Sequence, residues 1–491
     1  MIWILIRKEI QEAVVDFRFW IVTILCMLLI PLSLYVSLKD YEQRLQSYQT
    51  SNQQYLSHSR GRIDAEFQAE GYRPPSLLSV FALGLKDLLN LKVTTTRSGN
   101  VRIESQPDST NLQAVLLGRI DFVYIVTTVL SVLAFIFTFS SITGEKEMGT
   151  LRLMLSNATP RSSIILAKII GSYLVFLVPF TLSILMGLLL LNTSRFFSLG
   201  SMQVLPAVLV MLMIALLFVF CICCLGVLIS VLTHRSLVSM IVALLIWVVW
   251  GLVIPKISPM IAQITYLVES QQVVDARKQM ARENLMNELR VKEAELLKSK
   301  MAEMGIKEND NAQRDPKKLM ESAKKAAEAF KQEKIPLERE YEQRAEEAVR
   351  LIENEYANKR QIQTAIAVNL SRLSPICSLT YALSEIAGTG TSEMDSFVGK
   401  AKQFQEHVQQ VIYDNFETID LVLGAGQRMS STRPKEGFDP DRIPVPQLPA
   451  YRHTTLSEAL QTCWVDILLL AFFSILFFTI AFVVFGKYDV R

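Results

Sequence analysis

The hydrophobic positions of this chain fall into long unbroken blocks. Six stretches carry no Asp, Glu, Lys or Arg: Phe19–Leu38, Phe122–Gly144, Ile169–Ser194, Pro206–Thr233, Ser236–Pro255 and Ile467–Gly486. Crossing about 30 Å of hydrocarbon takes roughly 20 apolar residues in a helix. Each block meets that length, and buried helices of soluble proteins seldom run so far without a charge. Six transmembrane helices are predicted. Ahead of the first, Ile2, Ile4, Leu5, Ile10, Val14 and Phe17 interleave with Arg7, Lys8, Glu9 and Glu12. That is the pattern of an amphipathic helix lying at the membrane surface, with a bend expected near Phe17–Trp20. The first block is too long for the apolar core of a signal peptide. It is followed by Lys39-Asp40-Tyr41 rather than a small-residue cleavage site, so it reads as a retained span.

Two long polar segments separate the blocks, residues 39–120 and 257–462. The second opens with a charged helical pattern rich in Ala, Glu, Lys, Leu, Met and Gln, all strong helix formers. Gly305, Asn309-Asp310-Asn311 and Pro316 punctuate it, and predict two antiparallel arms over residues 261–304 and 317–370. Arms of that length reach roughly 60–75 Å at 1.5 Å per residue. Beyond Ser371 the chain is loop-rich, with Phe397–Leu423 expected as a further helix. In the first segment, Leu91-Lys92-Val93-Thr94-Thr95-Thr96 alternates as a strand does. The expected fold class is mainly α: a polytopic membrane protein with six transmembrane helices, a long extracytoplasmic helical hairpin and a small α+β extracytoplasmic segment.

Composition adds orientation and exclusions. The 491 residues are 51% hydrophobic and carry a formal charge of +3. Val268–Ile362 holds 20 basic and 20 acidic residues, so the hairpin is a solvated face without a sign bias, and no nucleic-acid partner is implied. Six spans place both termini on one side. The flanks and short loops there carry Arg7, Lys8, Arg18, Lys146, Arg152, Arg161, Lys168, Arg235, Lys487 and Arg491, against Arg195 alone in the short opposite loop. The positive-inside rule makes that side cytoplasmic. Cys221, Cys223 and Cys224 lie in an apolar helix and read as packing residues.

Catalytic motifs are missing. There is no phosphate-binding Gly-Lys-Ser/Thr loop, no HExxH, no Gly-x-Ser-x-Gly and no spaced Cys/His set. Lys168 and Asp466, at opposite ends of spans, read as interfacial anchors rather than relay groups. The informative segment is the short loop after the second span, Thr143-Gly144-Glu145-Lys146-Glu147-Met148-Gly149-Thr150-Leu151-Arg152-Leu153-Met154-Leu155-Ser156, ended by Pro160-Arg161. Leu151, Met154 and Leu155 share one face of a short helix, with Arg152 on another. Such a helix at the membrane surface can seat in a groove on a cytoplasmic partner; the alternative is a plain connecting loop.

This segment resembles the signature of ABC-2-type permeases, the membrane subunits of one class of ATP-binding-cassette exporters. The opening Leu5-Ile6-Arg7-Lys8-Glu9-Ile10, the Thr233-His234-Arg235-Ser236 turn and the tail Gly486-Lys487-Tyr488-Asp489-Val490-Arg491 are similar to that family too. The enlarged segments after spans one and five resemble a subset of it. The resemblance implies a non-catalytic subunit of a bacterial cytoplasmic membrane, with no cofactor of its own and ATP bound by a separate ABC ATPase subunit. Glu145, Lys146, Glu147, Thr150, Leu151, Met154 and Leu155 are the expected coupling interface. A second permease chain, identical or related, would complete the pathway in the lipid bilayer. The alternative is a non-transporting device that passes ATPase motion through the hairpin to an envelope protein.

Overall fold

The computed structural model describes residues 2–59, 69–84, 91–95, 101–105, 120–156, 160–195, 197, 204–303, 316–423, 427–434, 447–448 and 453–488. Contacts divide the chain into two units, one of residues 1–255 and 372–491 and one of residues 256–371.

In the first unit, α1 (Ile2–Val15) is the amphipathic helix and α2 (Phe17–Ser59) carries the first span. They part at Asp16, whose carboxylate accepts the Arg18 N–H at 3.0 Å and so caps α2. The second span, α3, covers residues 122–138 and contains a π-helical turn at Ile125–Leu130. Two short helices follow, α4 (Thr143–Met148) and α5 (Thr150–Ser156). Spans three and four are α6 (Arg161–Asn192) and α7 (Val204–Leu232); span five is α8 (Ser236–Thr265), with a second π turn at Val249–Val253. Span six is α13 (Leu456–Gly486). Among the described residues these six helices are long and apolar enough to cross a membrane.

The bundle packs through small residues, as membrane helices do. A side chain at Gly226 of α7 would place its Cβ 1.8 Å from Thr138 Oγ1 of α3, so only glycine permits that approach. Trp247 Nε1 donates to Ser131 Oγ at 2.8 Å, joining α8 to α3 beside the first π turn. Trp250 and Phe473 flank Phe477 of α13, at centroid distances of 5.8 and 5.9 Å.

The end of the bundle away from α1 is closed by α11 (Pro375–Ile386), which is buried along most of its length. Arg372, just ahead of it, forms a two-pronged pair with Asp466 of α13: Nε to Oδ1 at 2.7 Å and Nη2 to Oδ2 at 2.9 Å. Ser374 Oγ donates to the Trp250 carbonyl at 2.9 Å. Asp466 was expected at an interface; it is 1% exposed, because Arg372 supplies the charge that lets it leave water. After α11 the chain turns through Gly388 (φ +68°) into α12 (Thr391–Asn415). Glu385 caps that start, accepting from Thr391 N, Ser392 N and both hydroxyls.

The anticipated strand is Leu91–Thr95. It is the centre of an antiparallel sheet, β1 (Ala69–Tyr72), β2 (Leu91–Thr95) and β3 (Val101–Ser105), in that order. Its buried face, with Leu91 and Val93, meets Phe397, Ala401, Phe404 and Val408 of α12 and Tyr55 from the far end of α2. The helix expected over Phe397–Leu423 stops at Asn415. Residues Phe416–Leu423 form β4, paired antiparallel with β5 (Gln427–Pro434). Thr418, Ile419 and Val422 are β-branched, which suits a strand.

The second unit is the helical hairpin. Its arms are α9 (Gln271–Glu303) and α10 (Pro316–Ser371), antiparallel as expected. The first arm begins ten residues later than predicted, because α8 runs on to Thr265. Cross-arm pairs fix the register: Arg277 with Glu355, Lys278 with Glu353 and Lys300 with Glu333, at 3.4, 2.8 and 2.8 Å. The seam is thin, with Val274, Leu289, Tyr341, Ala345 and Val349 buried along it. The expected turn, residues 304–315, lies outside the described residues.

Candidate coupling site on the loop after the second span

The loop helix α4 starts without a capping side chain of its own, since Ile142 stands at its N-cap. Ser230 of α7 supplies the cap. Its Oγ accepts the backbone N–H groups of Ile142 and Thr143, each at 3.0 Å. Gly149 ends the helix with φ +73°, a left-handed value that favours glycine. The chain then enters α5.

Each charge of Gly-Glu-Lys-Glu has a separate partner within the chain. Glu145 Oε1 lies 2.9 Å from Lys168 Nζ of α6, and that ammonium also lies 2.9 Å from Glu9 Oε1 of α1. Lys146 Nζ donates to the carbonyls of Val231 and Thr233, at 2.5 and 2.8 Å, where α7 ends, and sits 5.0 Å over the Tyr488 ring. Glu147 accepts from Ser236 N at 2.9 Å and from Ser236 Oγ at 2.7 Å, where α8 begins. The N-cap residue of α8, Arg235, offers no side-chain cap of its own. The signs suit the sites: a cation meets the negative C-terminal end of one helix, an anion the positive N-terminal end of the next.

Neighbouring side chains bring further helix ends to the same place. Arg18 of α2 donates to Ser140 Oγ at 3.1 Å and lies over the Phe139 ring, and Arg161 caps α13 through the Gly486 carbonyl at 2.8 Å. The loop is therefore a hub on which the ends of several spans converge. Among the described residues no group of three His, Cys, Asp or Glu side chains could hold a metal ion.

A scan of protein families matches residues 3–490 to the model described as ABC-2 family transporter protein. The chain belongs to the ABC-2 family. It is a multi-pass membrane protein and a permease component of an ABC transporter, and the family implies an ABC ATPase subunit as partner. No curated protein matches the chain.

Within this ABC-2 permease the expected interface residues divide into two sets. Glu145 is buried, Lys146 half-buried, and both are turned to partners in the bundle, as is the more exposed Glu147. Leu151 is 2% exposed, and Met154 and Leu155 pack half-buried against the bundle core. Thr150 donates from its hydroxyl to the Glu145 carbonyl at 3.4 Å. The residues left facing outward are Met148, 72% exposed, Leu153, 67% exposed, and Arg152. Sequence reasoning found the stripe and missed which body it covers. It also missed Glu9, Ser230 and the bridging role of Lys168. A lone lysine three residues from Gly171, at the start of an apolar run, was the available signal.

Proposed function

We propose that this chain is the membrane-spanning permease subunit of an ATP-driven exporter in a bacterial cytoplasmic membrane. Both termini and the α4–α5 loop lie in the cytoplasm, and ATP is bound and hydrolysed by a separate ABC ATPase. Two permease chains, identical or related, line the path. The ATPase seats on the loop, its closure on ATP moves the loop, and the loop carries that displacement into the spans. ATP shifts the equilibrium between inward and outward forms only so far as the ATPase binds one of them better.

One observation supports this reading above the others. Glu145, Lys146 and Glu147 grip three span ends, while Met148, Arg152 and Leu153 stay open on the outer side. A connecting loop needs no such set of grips. Within the coupling segment, the charged residues and Leu151, Met154 and Leu155 hold its shape, and the outer side chains meet the partner. The test is co-purification with a co-expressed ABC ATPase. Leu153→Asp is expected to abolish it without loss of the folded permease. An ATPase that stays bound to both Met148→Asp and Leu153→Asp would overturn the assignment.

A further inference from the structure

Three elements far apart in sequence meet at one side chain. The Lys168 ammonium of α6 holds Glu9 of α1 and Glu145 of α4, each at 2.9 Å. We propose that Lys168 is the joint through which displacement of the coupling loop reaches both the third span and the amphipathic helix α1, with Glu9 as the positioning residue for α1. The proposal rests on the docking role of the loop given above.

Stability alone does not account for the arrangement. The Lys168 side chain is 3% exposed. Replacing a buried ion cluster as a whole by apolar side chains of similar volume is often neutral or stabilising, so stability does not by itself call for charge at Lys168, Glu9 and Glu145. Charge instead fixes which groups move together. The grip is also incomplete: Glu145 Oε2 is buried without a hydrogen-bond partner. Lys168 thus holds Glu145 through one carboxylate oxygen only. The Arg372–Asp466 pair at the other end of the bundle differs, since both carboxylate oxygens are engaged there. One end carries a two-oxygen fork, the other a one-oxygen contact.

A second observation ties α1 to the same place. At Gly171, about one turn along α6, an added Cβ would stand 2.8 Å from Glu9 Cβ. The absence of a side chain there is what lets α1 lie against α6. Lys8 of α1 also reaches Met154 Sδ at 4.0 Å. On its other side α1 exposes Trp3 and Ile4, an apolar face fit for the headgroup layer. A push on the loop would therefore be felt at the membrane surface as well as inside the bundle.

The experiment measures distances between spin-label pairs in the permease–ATPase complex in lipid nanodiscs, with and without ATP under non-hydrolysing conditions. Labels at Glu12 and Met213 report α1 against α7; labels at Ser156 and Met213 report the loop against α7. All three positions are exposed. In the wild type both distances are expected to shift with ATP. In Glu9→Gln the loop shift should persist and the α1 shift should vanish. Gly171→Ala, which displaces Glu9 by steric contact instead of charge, should give the same loss. The exchange Glu145→Lys with Lys168→Glu, which sets a carboxylate of α6 against Glu9, should keep the loop shift and lose the α1 shift. An α1 shift of wild-type size in both Glu9→Gln and Gly171→Ala overturns the joint, as does a wild-type α1 that ignores ATP while the loop moves. A loop that does not move although the ATPase is bound refutes the docking reading itself, a separate result.

Discussion

Leu151 and Leu153 stand two positions apart on a seven-residue helix, and their surroundings are opposite. Leu151→Asp buries an unpaired carboxylate in the bundle core. A loss of about 3 kcal/mol or more is expected, read as a lower melting temperature in detergent. Leu153→Asp should leave that temperature unchanged, because the side chain is already 67% exposed and buries no charge. Gly149→Ala forces a Cβ into the left-handed region and should cost about 1 kcal/mol by the same assay. These positions mark the limit of what the sequence shows. Spacing puts Leu151, Met154 and Leu155 on one face and does not say whether that face meets the chain's own bundle or another protein. The charges were harder still: Lys146 and Glu147 bind backbone at helix ends, and backbone partners leave no trace in residue type.

At the scale of elements, the spans were legible because about twenty uncharged apolar residues have few other uses. The hairpin was legible from composition and breakers, although its first arm was placed too early. Periodicity cannot tell the tail of a membrane helix from the start of a soluble one. The arms are held by a thin apolar seam and by exposed charge pairs. Lys359 and Arg277 beside Glu355 hold its carboxyl below the usual range, the hydrogen bond from Lys359 first. A depressed carboxylate contributes above its unfolded value and loses that contribution as pH falls through the folded one. Protection of α9 and α10 against hydrogen exchange in the full chain, taken relative to the intrinsic rate at each pH, should therefore fall slightly on acidification through the carboxylate range. Added salt at neutral pH should lower it in the same direction and by a similarly small amount, since it screens exposed pairs. Arg372→Ala is a sharper case: it strands Asp466, buried in α13, and should cost about 3–5 kcal/mol, seen as a lower melting temperature.

For the whole molecule the decisive question is which side of the membrane each end of the bundle faces. The native cysteines are all buried and free, and burial pushes the Cys377 thiol up to about 11, so single introduced thiols can be read against a quiet background. In intact cells a membrane-impermeant maleimide should label Met280→Cys on the hairpin and spare Arg152→Cys on the coupling loop. The reverse pattern would turn the permease inside out. The β-sheet region resisted sequence reading most, because its core is assembled from residues at Tyr55, Leu91, Val93 and Phe397, and no local pattern announces such distant company.

The first of those residues carries a consequence of its own. α2 is one continuous helix of 43 residues, about 65 Å at 1.5 Å per residue. Less than half of it is needed to cross the hydrocarbon. The remainder runs on until Tyr55 is wedged into the sheet. A tilt of a few degrees at the foot of that rod becomes a displacement of several ångströms at its tip. The sheet is thus a pointer, and a fluorophore placed on it would display angular changes that begin at the other end of the first span.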